Sequence, residues 1–343
     1  MKIFYAVQAT GNGHISRAME LLPLLQEFGT VDIFLSGENS HLPLDAPVKY
    51  RSKGISLFYN CKGGLDYLEM WKRFKPFRVR KEIRDLPVEK YDLVLNDFDF
   101  ITSAACARKG ISSVHFGHQA SFLSERTPRP LKRNITGEWL LKHYVKATCQ
   151  VGLHFKRYDH FVLPAIVKKS ILAAIPENKG HITVYLPSFC ESQLKDIFSY
   201  FRDVEFHLFT RETSLKRREG NIFFMPVDKE QFDRSLVTCQ GIITGGGFET
   251  PAEALHLGKK ILSIPIRGQY EQQCNAAALQ QLGVTCLPGI NSDFKDVFPN
   301  WMNNAPSIRI DYTTSARASV EYLFALLPGL VPGCSGPIKE YSL

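Results

Sequence analysis

The chain has 343 residues, 44% hydrophobic and 22% charged, with a net charge of +8 and a pI near 9.0. This is the composition of an ordinary soluble globular protein, long enough for two domains, and no apolar run nears the roughly 20 residues that cross a bilayer. Eight cysteines stand singly with no metal-ligand spacing, which argues against a disulfide or zinc framework and for free thiols in a reducing cytoplasm.

The amino terminus shows no cleavable signal pattern and enters a predicted strand at once, Lys2 to Val7. A glycine-containing loop, Ala9 to His14, with Thr10, Gly11, Asn12 and Gly13, leads into residues at helical spacing (Ile15, Ala18, Met19, Leu22, Leu25). Pro23 inside that pattern is expected to kink the helix or make it irregular. Further strands are expected at Val31 to Leu35, Leu93 to Leu95, Ser113 to Phe116 and Gln150 to Phe155. Between them Trp71 to Arg84, WKRFKPFRVRKEIR, interleaves seven cations with Trp71, Phe74, Phe77, Val79 and Ile83. That stretch either lies on an anionic membrane surface, receives a phosphate-bearing acceptor, or is a solvated helix packed on its own domain. Nucleic acid is disfavoured, since the chain has neither a recognised motif nor an extended basic tail.

The mixed, proline-containing region 156–179 reads as a connection, so the boundary is set near residue 165. The expected division is 1–165 as first domain, 166–325 as second, and 326–343 as a tail. Strands are then expected at His181 to Leu186, Glu205 to Thr210, Ile222 to Met225, Gly241 to Thr244 and Ile261 to Ile266, with a last helix at Thr314 to Leu327. Strands separated by helices imply an α/β fold of two Rossmann-like, doubly wound parallel sheets.

The most informative segment is Gly241 to Asn275: strand, three glycines (Gly245, Gly246, Gly247), helix, strand and a polar loop. The helix amino terminus offers unpaired N–H groups and partial positive charge, and glycines let a phosphate come that close. Glu253, one turn in, can accept from ribose hydroxyls. Gly246, Gly247, Thr250, Glu253, Ala254, Leu255, Gly258, Pro265, Glu271, Gln272, Asn275 and Ala276 together resemble the donor-binding signature of GT-B glycosyltransferases, the superfamily of the peptidoglycan lipid-linked N-acetylglucosaminyltransferase and the macrolide glycosyltransferases. Two positions depart from it. Gly245 replaces a frequent histidine. Glu249 replaces a glycine where the diphosphate should lie, either as a helix-dipole partner facing solvent or, turned inward, as a group that repels the diphosphate.

The resemblance implies two domains facing across a cleft, with GNGH after the first strand matching the Gly-x-Gly-His loop of many such transferases, and a terminal helix that returns to the first domain. It assigns Gly246, Gly247 and Thr250 to the diphosphate, Glu253 to ribose, and Glu271 and Gln272 to the transferred sugar, with Arg211 near the diphosphate or base and Phe224 to Pro226 beside the nucleobase. Asn275 is expected to fix the loop. Sugar transfer needs a base for the acceptor hydroxyl, and His14 and Asp97 are the candidates, Asp97 alternatively orienting His14 or capping a helix with Asp99. Gly13, Arg17, His118 and Gln119 are candidate acceptor contacts, with a surface salt bridge as the other reading of Arg17.

The expected reaction is a metal-independent, inverting displacement from a nucleotide diphospho-sugar, UDP-linked, to a hydroxyl acceptor such as a lipid-linked or envelope glycan. No cofactor is expected beyond that co-substrate, since Asp97-Phe98-Asp99 closes a strand of the first domain and is no Asp-x-Asp metal motif of the second. The enzyme would be cytoplasmic, with attachment to the inner face of the membrane through Trp71–Arg84. A nucleotide-sugar 2-epimerase, with Asp97 and Glu271 moving protons, and a non-catalytic nucleotide-sugar-binding partner protein remain alternatives. A nicotinamide dehydrogenase is disfavoured because the first loop lacks Gly-x-Gly-x-x-Gly and Ser36, not an acid, ends the second strand.

Overall fold

A computed structural model describes residues 1–9, 11–37, 44–54, 75–290 and 293–327. The first half comprises β1 (Lys2–Gln8), α1 (Asn12–Gln26), β2 (Thr30–Ser36), β3 (Val48–Ser52), α2 (Pro76–Asp85), β4 (Leu93–Asp97), α3 (Phe100–Lys109), β5 (Val114–Gly117), α4 (Ile135–His143), β6 (Cys149–His154) and β7 (Val162–Pro164). The second comprises α5 (Lys169–Leu172), β8 (Ile182–Tyr185), α6 (Glu191–Phe198), β9 (Phe206–Thr210), β10 (Arg217–Glu219), β11 (Ile222–Pro226), α7 (Lys229–Thr238), β12 (Gly241–Thr244), α8 (Glu249–His256), β13 (Lys260–Ser263), α9 (Tyr270–Gln281), β14 (Thr285–Cys286), α10 (Phe294–Asn304) and α11 (Ser315–Leu326).

Two 7-stranded sheets result, in the orders β3-β2-β1-β4-β5-β6-β7 and β10-β11-β9-β8-β12-β13-β14. Their pairings are parallel except β10 with β11. The central strands are buried along most of their length and apolar on both faces, as helices on each side require. Chain order reverses beside β1 in one sheet and β8 in the other. Loops there leave the carboxyl ends of adjacent strands in opposite directions and open a crevice, which is where such sheets bind ligands.

α1 runs unbroken through Pro23, contrary to the expected irregularity. The last helix returns to the first domain as the resemblance implies: Phe324 stacks on Phe28 at 3.7 Å and Arg317 pairs with Glu27 at 2.7 Å. One apolar cluster continues from β1 and α1 through Phe248 and α8 to Tyr312 and α11, so the two sheets share a core at their junction. No disulfide joins the described cysteines.

Of the basic aromatic stretch, Trp71 to Phe74 lie outside the described residues, as do Thr10 and residues 328–343 of the expected tail. The described remainder forms α2. Val79 is buried and Ile83 packs against the first-domain core, so this part is largely a helix seated on its own domain, with Phe77 exposed.

Candidate active site

The site starts at the turn after β4. Asn96 clamps it, donating to the Asp99 carbonyl at 2.9 Å and accepting from the Asp99 amide at 2.7 Å. Asp99 caps α3, accepting from Thr102 N–H. Phe98 is thereby forced to φ 60°, a strained conformation for a bulky residue. Asp97 caps nothing. The turn aims it at α1, where His14 Nδ1 lies 3.0 Å from its Oδ1 and Arg17 reaches both its oxygens at 2.9 Å.

Asp97 is fully buried. Burial alone would push its pKa up; the charges of Arg17 and then His14, with their hydrogen bonds, outweigh it and hold the carboxyl at about 2. An ionised carboxylate only accepts, so it selects the His14 tautomer that donates from Nδ1 and leaves Nε2 as a base. Arg17 Nη2 also lies 3.0 Å from Nδ1, and a guanidinium only donates, so Arg17 and Asp97 compete for that ring nitrogen; Nε2 is the base in the tautomer that donates to Asp97. His14 borders a cavity of about 460 Å³ between the domains.

Arg17 corrects one expectation. It is 2% exposed, so it forms no surface salt bridge. Its other terminal nitrogen, Nη1, donates to Glu249, the first residue of α8 in the second domain. Glu249 therefore points into the cleft rather than to solvent, and its charge is shared with Arg17. Its carboxylate lies so close over Gly13 that a Cβ there would push the Glu249 side chain aside. Arg17 remains charged, since Asp97 and Glu249 together overcome the opposing effect of burial.

The remaining second-domain residues meet partners of their own. Gly247, Thr250, Glu271, Gln272 and Arg211 line the large cavity with Gly13, His14, Arg17, His118 and Gln119. Gly246 does not. Its amide donates to Gln272 Oε1 at 3.1 Å, its carbonyl accepts from Asn275 at 2.9 Å, and a Cβ would strike the Gln272 backbone. Gln272 Oε1 also accepts from Ile266 N–H, so only its NH₂ is left to meet a sugar hydroxyl. Glu271 accepts from Gln119 at 3.2 Å, across the cleft.

His118 is buried and held rather than exposed to an acceptor. Its Nδ1 lies 2.9 Å from the Leu153 carbonyl and its Nε2 2.9 Å from Asn275 Oδ1. Its ring stacks on Phe248 at 3.9 Å and 5°. Burial lowers its pKa. Asn275 thus fixes the glycine loop and ties it to the first domain.

Glu253 borders a second cavity of about 140 Å³, with Tyr185, Val227, Phe232 and Thr250. It is paired with Lys168 at 3.1 Å, and Lys168 also holds Asp233. Burial, partly offset by Lys168, raises Glu253 to about 7. Lys168 sits in the connecting segment and carries no motif; only its place in space identifies it. His115, beside Asp97, is also buried, pushed down to about 4 by burial, and neither ring nitrogen has a hydrogen-bond partner among the described residues.

Two facing parallel-sheet domains, a glycine loop feeding a short helix, and a buried acid–histidine pair opposite it define the class: a glycosyltransferase of the GT-B fold. The chain belongs to glycosyl transferase family 1, whose family model matches residues 1–304. Solved structures similar to it include the glycosyltransferase SnogD from Streptomyces nogalater, at TM-score 0.51 and 18% identity over 94% of this chain and 99% of that one. MurG of Acinetobacter baumannii superimposes with TM-score 0.55, 14% identity and the same coverages. Phytolacca americana UGT2, complexed with UDP-2fluoro-glucose and pterostilbene, gives 0.57 and 14% over 94% and 93%. No curated protein matches the sequence.

Proposed function

We propose that this glycosyltransferase moves a sugar from a nucleoside diphosphate, UDP foremost, to a hydroxyl acceptor by a single inverting displacement without a metal. The observation that carries the reading is the chain His14–Asp97–Arg17–Glu249, which spans the cleft from a candidate base to the amino terminus of α8. In this reading the first domain serves the acceptor and the second the donor. His14 Nε2 takes the acceptor proton while the hydroxyl oxygen bonds to the anomeric carbon, and the bond to the diphosphate breaks with its electron pair. Asp97 steadies the imidazolium that forms.

Charge growing on the diphosphate is met by the α8 amino terminus at Gly247 and Thr250, and by Arg17, which trades Glu249 for a phosphate oxygen. In this reading Glu253, beside Tyr185 and Val227, accepts from the ribose hydroxyls, and Glu271 and the Gln272 NH₂ meet the sugar. UDP-linked ligands in neighbouring structures, such as that of Phytolacca UGT2, support the donor class. The acceptor is a hydroxyl compound presented at the cleft mouth, a lipid-linked or envelope glycan in the cytoplasm or at the inner membrane face. The 2-epimerase alternative fits less well: Asp97 is fully buried and its oxygens are taken by Arg17 and His14.

Thermal unfolding against UDP, GDP, CMP and dTDP tests the donor. A nucleotide at 100 times its Kd adds about 2.7 kcal/mol, a rise of a few degrees. Release of free UDP from UDP-sugars, with water as the acceptor, tests catalysis. A variant His14→Ala that keeps the nucleotide shift but loses release supports the reading; one that keeps both moves it to another base.

A further inference from the structure

Exposed large apolar side chains elsewhere on the described surface are scattered (Ile175, Tyr200, Leu215), which is usual for a soluble protein. Around α4 they are not. Leu131 and Ile135 are almost wholly exposed, Trp139 is 61% and Leu140 40% exposed, all within ten residues. Ile135 and Trp139 are four apart and share the outer face of the helix.

That face is not a misplaced core. The inner face of the same helix is already packed: Leu141, with Val145 just past the helix end, lies buried with Phe98, Phe122 and Tyr270. The helix is anchored as well as packed. Asn134 caps it at 2.8 Å, and Glu138 accepts from Arg129 and from Tyr270 of the second domain, both at 2.6 Å. A rigid helix therefore presents a second apolar face outward.

Its surroundings are cationic. Residues 125–142 carry Arg126, Arg129, Lys132, Arg133 and Lys142 against Glu125 and Glu138, and Glu138 is turned inward to Arg129 and Tyr270. Arg126 is 77% and Arg133 53% exposed. An amphipathic tryptophan among aliphatic side chains, ringed by arginine and lysine, matches the boundary of an anionic bilayer: apolar groups enter the acyl margin and cations meet phosphate headgroups.

We propose that the outer face of α4, with Leu131, Ile135 and Trp139 as the inserted groups and Arg126, Lys132 and Arg133 as the headgroup contacts, seats the enzyme on an anionic phospholipid surface. This moves the contact from the Trp71–Arg84 stretch, where Val79 and Ile83 face the core, to a separate element. Leu140 and Tyr144 line the large cavity, so a seated α4 brings the cleft mouth to headgroup level. The inference depends neither on the donor nor on His14, and its test needs no turnover.

The full chain is sedimented with phosphatidylcholine vesicles and with vesicles of phosphatidylcholine and phosphatidylglycerol in equal parts. Binding is expected to the second only, and to weaken as salt rises. Ile135→Ser/Trp139→Ser should cut the partition coefficient about tenfold or more, and Lys132→Ser/Arg133→Ser about tenfold for anionic vesicles, with melting temperatures unchanged. Should the double apolar variant fail to fold, Leu131→Ser, outside the helix, gives the same test. In a Trp71→Phe background, Trp139 emission should shift to the blue on vesicles while buried Trp301 stays silent. Equal binding by the apolar variants, or no binding at low salt, overturns the proposal. So does a wild-type dimer that Leu131→Ser dissolves, which would make a second copy the occupant.

Discussion

The two walls of the cleft are charged in different ways. On the first-domain wall, His14, Asp97 and Arg17 satisfy one another within one sheet edge and one helix, and the strained turn at Phe98 fixes their geometry. On the second-domain wall the acids Glu249 and Glu271 find partners across the cleft, in Arg17 and Gln119, and Glu253 finds one in the connecting segment, in Lys168. The His14–Asp97–Arg17 pairings lie within the first domain, whereas Glu249 and Glu271 take their partners from across the cleft. A donor entering the cleft would leave the His14–Asp97–Arg17 pairings in place and compete with Glu249 and Glu271 for Arg17 and Gln119.

The strongest test of that contrast removes the first wall's chemistry. His14→Ala or Asp97→Asn should lower the rate of UDP release about 10³-fold with donor affinity little changed, since general-base catalysis is worth roughly 10²–10⁴. A fall in affinity instead of rate would erase the distinction. Arg17→Met comes next. It strands a buried carboxylate, so urea unfolding should show a loss of about 3–5 kcal/mol. A milder loss would mean that Asp97 reaches water.

Acid should also act on the first wall. His115 has a native pKa of about 4 against its ordinary 6.5, so between those values the folded chain binds fewer protons than the unfolded one. Its contribution is complete above pH 6.5 and is lost as the pH falls to 4, on the order of 3 kcal/mol in all. His115→Phe should flatten the melting temperature in that window; an unchanged slope assigns the acid sensitivity elsewhere. The smallest effect belongs to the second wall. Glu249→Gln should tighten UDP binding about tenfold by removing the competitor for Arg17, measured by titration calorimetry. Weaker binding would make Glu249 a donor contact rather than a placeholder.

Much of this was legible along the chain. The inner strands announced themselves because burial on both faces demands unbroken apolar runs. The edges did not. β3 reads VKYRS, and β10 reads RRE because its arginines lie on the rings of Phe224 and Phe223, at 4.0 and 4.6 Å, so charged letters do apolar packing. At the candidate site, glycine spacing and strand ends singled out His14, Asp97 and the glycine loop, which the fold brings to the two sides of one cleft. Pairings did not follow, because Arg17 and Glu249 lie 232 residues apart and nothing local says which way a first-turn glutamate turns. Lys168 was hidden for the same reason: its meaning comes from Glu253 and Asp233, not from its neighbours in sequence.

The return of α11 onto α1 has a mechanical consequence. The chain passes between the halves twice, once after β7 and once between α10 and α11, where Tyr312 bonds to the Phe155 carbonyl at 2.6 Å. Two crossings restrain how far the halves can part more than one would, and they favour a swing about the line through both. An engineered disulfide across either crossing would stiffen such a swing without altering a residue that lines the cavity.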